Sequence, residues 1–200
     1  GRVPILVPVS LYGGYPVREL CTKFLLAKTS DVRPLPDPLP GGLTAIPLPG
    51  HSFDMVGFRT PDDVVFLGDS LTGEQLLKKH LVPFLYDVRT YLATLDEIER
   101  LPAALYVPAH ADAVSDVRPL VSLTRDKTME LLEELADICA SPQTGEEILK
   151  LLFDRHGMSL DILQYGLSGY TVRSYLAYLK EEGRLTAYFQ ENRMLWKTVS

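Results

Sequence analysis

The sequence predicts a mixed α/β chain, α+β in overall content, divided into a layered domain over residues 1–122, a connecting helix over 123–140 and a small helix-and-hairpin domain over 141–200. Three observations lead there. Short apolar runs bounded by Pro, Gly and Asp between residues 43 and 107 surround one long run with helical spacing, in the order β, β, β, α, β, which is the grammar of a layered α/β domain. Proline and charge also partition the chain. Residues 1–50 hold nine of the 15 prolines and five basic against three acidic residues, 51–140 hold eight basic against 16 acidic, and 141–200 hold seven of each. Finally, the last 60 residues read as short amphipathic helices followed by two strands.

Taken in order, Ile5–Val9 is a strand-like apolar run. In residues 17–28 the apolar positions Val17, Leu20, Cys21, Phe24 and Leu25 form a helical stripe. The stretch from Arg33 to Gly42 is too rich in proline to supply ladder donors and reads as an extended loop or edge. Leu43–Leu48 predicts a strand, and Met55–Phe58 and Val64–Leu67 predict two more, joined into a hairpin by the turn residues 59–63. From Asp87 to Leu101, Val88, Tyr91, Leu92, Leu95, Ile98 and Leu101 share one helical face; Ala104–Val107 returns to strand, and a further helix is expected over Thr124–Ala140.

The third part starts with a helix over Gly145–His156, with Thr144 as N-cap and Gly157 as stop. A short second helix is expected over Met158–Tyr165 and a third over Ser168–Glu182, ended by Gly183. Strands at Arg184–Phe189 and Arg193–Val199 flank a turn at 190–192. Three helices and a hairpin make the winged-helix plan, a variant of helix-turn-helix. Its charge is balanced, and only Arg173 and Lys180 lie on the helix that would read DNA, so packing against the first domain or a dimer contact is the stronger reading. Tyr170, Tyr175 and Tyr178 read as packing residues rather than a base-stacking platform.

Composition narrows the function classes. A net charge of −6 over 200 residues with 46% apolar content lacks the electrostatic footprint of a protein held to nucleic acid by phosphates, or of a basic membrane-binding surface. No run reaches the roughly 18 apolar residues of a membrane span, and Gly-Arg-Val-Pro does not begin a secretory signal. The expectation is a soluble, cytoplasmic protein with a small-molecule substrate. Cys21 and Cys139 show no metal-binding spacing and read as reduced thiols.

Only four histidines are available, at 51, 80, 110 and 156. His51 follows Leu48-Pro-Gly50 at a strand end, His110 follows Val107-Pro-Ala109 at another, and Asp69 follows a third strand through Gly68. Strand ends beside Pro or Gly turns aim side chains into one crevice. Two imidazoles and a carboxylate placed this way suit zinc or iron; hydrogen-bonded surface histidines are the plain alternative. Asp54 either orients an imidazole or is a turn carboxylate. His80 reads as a surface residue or a substrate contact, and His156 ends a helix, where it favours the dipole.

The strings Leu48-Pro-Gly-His-Ser-Phe-Asp-Met-Val-Gly-Phe58, Val64-Val-Phe-Leu-Gly-Asp-Ser70 and Leu105-Tyr-Val-Pro-Ala-His-Ala111 closely resemble the later motifs of the metallo-β-lactamase fold family. Their histidine-to-aspartate and aspartate-to-histidine separations of 18 and 41 residues are similar as well. The resemblance covers about residues 1–120. The tail, Tyr175-Leu-Ala-Tyr-Leu-Lys-Glu-Glu-Gly-Arg-Leu185 with Trp196, resembles the winged-helix domain of the β-lactamase-like protein 2 branch. The family implies an αββα sandwich, glyoxalase II-like in its chemistry, with two divalent metal ions, zinc first and iron or manganese as alternatives. Carried over, His51 resembles a ligand of one metal, Asp69 the bridging carboxylate and His110 a ligand of the other, with Asp69 and His110 closest to catalysis. The activity implied is metal-dependent hydrolysis of an ester, thioester, amide or phosphodiester.

One part of the pattern is missing. The family's first motif, HxHxDH, has no counterpart, because no histidine precedes His51 and the only upstream acids are Glu19, Asp31 and Asp37. The expectation is therefore a truncated C-terminal portion of a longer enzyme, inactive alone, with a metal-free relative as the alternative. The uncovered sheet face should then drive self-association or require the missing N-terminal segment. A rival reading makes the chain a non-catalytic interaction or regulatory module built on the winged helix.

Overall fold

The computed structural model describes residues 5–7, 32–79 and 84–199, apart from some side chains. The helix expected over residues 17–28, Cys21 and His80 lie outside them. Strands β1 (Ile5–Val7) and β2 (Val32–Pro34) pair in parallel. A second sheet has the order β3 (Thr44–Pro47), β4 (Val56–Arg59), β5 (Val64–Thr72), β6 (Leu105–His110), with β3 and β4 antiparallel, β4 and β5 antiparallel, and β5 and β6 parallel. Between β5 and β6 run a short helix α1 (Glu74–Lys79), absent from the sequence reading, and α2 (Val88–Arg100).

Local chemistry accounts for these elements. The β4–β5 turn closes when Thr60 N donates to the Val64 carbonyl and Val64 N to Thr60 Oγ1, with Asp63 at φ 64°. Asp87 caps α2 by accepting from Thr90 N at 3.1 Å. Along β5, Val65 and Leu67 are buried completely while Phe66 between them is 44% exposed, the period-2 pattern of a sheet with one covered face. The cover is α2 and α3 (Arg118–Ile138), which bring Leu95, Ile98, Val121 and Leu132 into the core.

Helix α3 starts six residues before the sequence boundary at Thr124. Pro119 sits in its first turn, where a missing N–H costs nothing, and Asp116 accepts from Arg118 N at 3.1 Å. Helix α4 (Gly145–Arg155) matches expectation, with a capping box between Thr144 and Glu147 and Gly157 at φ 61°. A separate helix over Met158–Tyr165 does not form. Asp161 accepts from Gln164 N at 2.7 Å and starts one 20-residue helix, α5 (Ile162–Glu181), that absorbs both expected segments. The helix runs through Gly166 and Gly169, each costing about 1 kcal/mol in a helix interior, and buries Val172, Tyr175, Leu176 and Leu179 in the core.

The chain closes with β7 (Leu185–Gln190) and β8 (Arg193–Thr198), an antiparallel hairpin. Glu191 and Asn192 at φ 51° and 58° form its two-residue turn. Trp196 pairs with Gln143 through both backbone bonds, fixing the hairpin to the α3–α4 connection. Among the described residues no helix is long and apolar enough to cross a membrane, and Cys139 is a buried free thiol that burial pushes up to about 11.

Candidate active site

His51 is aimed by a turn that requires glycine, and His110 is packed closely against another glycine. Gly50, at φ 121°, lies so close to α2 that a Cβ there would meet Tyr91 Cα, N and Cβ at 2.4–2.7 Å. Its carbonyl accepts from Tyr86 N at 3.1 Å and Asp87 N at 3.0 Å, and the Pro49 carbonyl accepts from Thr94 Oγ1 at 2.7 Å. The Pro-Gly-His turn is thus bolted to the start of α2. Asp69 follows Gly68, at φ 55°, where the β5–β6 register slips; a bulge there re-aims the side chain. Tyr91 Oη donates to the Ser70 carbonyl at 2.8 Å and secures the strand beyond the bulge. His110 ends β6, its carbonyl accepting from Gly73 N at 3.1 Å, and a Cβ on Gly73 would sit 2.9 Å from that oxygen.

The three expected ligands converge. His51 Nε2 lies 3.4 Å from Asp69 Oδ2, and His110 Nε2 lies 3.1 Å from Asp69 Oδ1. His51 is hydrogen-bonded to the Phe84 backbone and meets the Phe84 ring edge-on at 5.4 Å. Burial lowers its pKa below the usual imidazole value, outweighing the upward pull of Asp69, and so favours the neutral form, the one that binds metal. Asp54 lies in the turn after His51 and does not line the cavity described below.

Nitrogen and carboxylate oxygen are the donor types zinc takes, so these residues fit a metal in kind. They fall short in number. Each of two metal positions would receive one imidazole and one carboxylate oxygen, where a catalytic zinc takes three protein ligands. Among the described residues, no group of three or more His, Cys, Asp or Glu is arranged around one such point.

Beside the triad opens a cavity of about 300 Å³. His51, Asp69 and His110 stand on one side, and α3 (Thr124, Lys127, Thr128, Leu131) and α5 (Gln164, Leu167, Ser168, Tyr175) supply much of the rest. Helix α5 is tied to the same region: Leu85 N donates to Thr171 Oγ1 at 3.1 Å, and Ser174 Oγ donates to the Tyr86 carbonyl at 2.6 Å. The 84–87 segment therefore bridges α5 to His51.

Sequence reasoning missed Gly73, Tyr91 and the whole α5 contribution. Of the tyrosines expected to pack, Tyr175 is buried in the cavity wall, Tyr178 lies under Arg89, and Tyr170 is 67% exposed beside Arg173. His156 pairs with Glu134 at 2.9 Å, the structural position expected of it.

Residues 22–110 match the family model described as metallo-beta-lactamase superfamily. A metallo-beta-lactamase family protein from Thermus thermophilus superposes with a TM-score of 0.62 at 20% identity, over 78% of this chain and 49% of that one. A beta-lactamase domain protein from Burkholderia ambifaria gives 0.67 at 20% identity, over 80% and 48%. The fold is that of the metallo-β-lactamase superfamily. The chain spans about half the length of these solved structures. No curated protein matches it.

Proposed function

We propose that this chain belongs to a metal-dependent hydrolase of the metallo-β-lactamase superfamily, with His51 on one metal, His110 on the other and Asp69 between them. The observation that carries the reading is the Asp69 carboxylate, each of whose oxygens faces a different imidazole across 3.1–3.4 Å. Divalent ions, zinc by preference and iron or manganese otherwise, would be held by these residues and by ligands outside them, and when bound would supply the Lewis acidity for hydrolysis. The residues' own part is clear in outline. Asp69 neutralises charge between the two positions, Phe84 fixes the His51 ring, and the helical wall shelters the substrate from water. That α5 forms this wall favours an enzyme over a separate interaction module, and supports reading the C-terminal region as a winged-helix relative whose expected second and third helices have merged.

A zinc titration by calorimetry tests the reading. Asp69→Asn should weaken zinc uptake by about tenfold or more, since it removes the charge both positions share. Because His51 resists protonation, its share of zinc affinity should persist below the usual imidazole pKa of about 6.5 and be lost only on further acidification. A full-length protein that takes up no zinc, iron or manganese sinks the proposal.

We also propose that the open sheet face seats against a further layer, a second copy or another segment. Ala45, Phe58, Phe66 and Val107 stand opposite one another across all four strands, an apolar row on the less buried face. Sedimentation showing a monodisperse monomer of this chain would count against it.

A further inference from the structure

The cavity has a composition of its own, apart from the metal motifs. Leu76, Leu77, Leu85, Leu131 and Leu167 give it an apolar body. Most of the polar groups that reach it are already occupied within the protein. Thr124 Oγ1 donates to the Leu120 carbonyl at 2.8 Å, Thr128 Oγ1 to the Thr124 carbonyl at 2.9 Å, and Tyr91 Oη to the Ser70 carbonyl. Gln164 differs. Its Oε1 is buried and, among the described residues, has no hydrogen-bond partner. An orphaned acceptor of this kind calls for an explanation, and a ligand N–H or O–H that reaches Oε1 would supply one. Apart from His51, Asp69 and His110, Lys127 is the one ionisable Lys, Arg, Asp or Glu side chain among the described residues that line the cavity, and Glu130 holds it at 3.1 Å.

We propose that α5 is the specificity wall of this site, and that the molecule it admits is a small, uncharged carboxylic acid derivative with an apolar acyl arm and a hydrogen-bond donor answered by Gln164. The proposal rests on the hydrolase reading above and narrows it. A volume of about 300 Å³ stands at the lower end for small-molecule sites, room for one short acyl chain. A nucleic acid strand would need a cationic groove and stacking platforms, and this wall offers Leu167 and Ser168 instead. Gln164 and Leu167 are specificity residues rather than catalytic ones, since neither is among the three donors His51, Asp69 and His110.

Two probes of matched length separate the terms: hexanamide, which donates N–H bonds, and methyl hexanoate, which does not. NMR titration in zinc-free buffer should show hexanamide binding at least about tenfold more tightly, the discrimination expected when a buried acceptor is left unpaired. Gln164→Leu should erase that preference while keeping the apolar contact, and Leu167→Trp should fill the cavity and abolish binding of both probes. A uridine dinucleotide should not bind. Equal affinities of the native protein for the two probes, a preference that survives Gln164→Leu, or tighter binding of the dinucleotide would overturn the assignment, and the first needs no variant to fold. A zinc titration on the same samples keeps the two ideas apart. Failure of zinc uptake with the hexanamide preference intact removes the hydrolase reading, whereas equal probe affinities beside normal zinc uptake remove the α5 assignment alone.

Discussion

The two walls of the cavity are built by different rules. On the strand-end wall, His51, Asp69 and His110 are each fixed by a neighbouring glycine and by backbone hydrogen bonds running from Gly50 to Asp87 and from Gly73 to His110. On the helical wall, Thr124, Thr128, Gln164, Leu167 and Ser168 are positioned mainly by the periodicity of α3 and α5, with hydrogen bonds such as Leu85 N to Thr171 Oγ1 tying α5 in place. The first wall is held by close backbone approach, which suits chemistry on a single water or bond. The second sets shape and polarity, and one residue there can change without unsettling the rest. On the proposed reading, chemistry and selectivity would be carried on elements of unequal tolerance.

The sharpest way to break this comparison is Gly50→Ala. The new methyl would have to occupy space 2.4–2.7 Å from the Tyr91 backbone, at a φ of 121° that L-residues rarely adopt. A loss of about 3 kcal/mol or more is expected in urea unfolding. Gly145→Ala is the matched control. It opens α4 with nothing within 4 Å of the added methyl, and alanine there should be neutral or stabilise by up to about 1 kcal/mol. If the two substitutions cost the same, the close approach of the Pro-Gly-His turn to α2 is not what holds that wall.

Next in size comes Tyr91→Phe. Tyr91 is 6% exposed, and its hydroxyl bonds the Ser70 carbonyl one residue after Asp69. Its removal leaves a buried acceptor unpaired, worth about 1–3 kcal/mol, and frees the strand just beyond the bulge. Stability should fall, and zinc affinity should fall with it. Thr144→Ala probes the helical side by a similar measurement. It opens the capping box beneath α4 for about 1 kcal/mol, and zinc affinity should stay unchanged because α4 supplies no residue to the cavity.

The same division explains what the sequence made legible. His51, Asp69 and His110 were readable because each needs a Pro or Gly turn at a strand end, and such turns leave a local mark. The β4–β5 hairpin and the N-cap Thr144 were readable for the same reason. Gln164 and Leu167 left no mark, since an amphipathic helix looks alike whether its face packs on a core or on a substrate. The joining of the two expected helices into α5 left no mark either, since it goes with the burial of Val172, Tyr175, Leu176 and Leu179 in the core. Tyr91 was visible only as one more apolar position on α2, its hydroxyl's partner being set by a fold-level contact 21 residues away.

The smallest expected effect on stability is also the one that most cleanly separates the walls. Leu167 is 43% exposed at the cavity edge, so Leu167→Ala should change stability by no more than about 0.5 kcal/mol. Zinc uptake should not change, because Leu167 is not one of the three donors. Apolar contact with the hexanoyl arm should weaken, lowering hexanamide and methyl hexanoate affinity by a similar factor, about threefold to tenfold for the lost methylene contacts. A drop in zinc affinity would mean that α5 is coupled to His51 through the 84–87 segment, and that the two walls act as one unit.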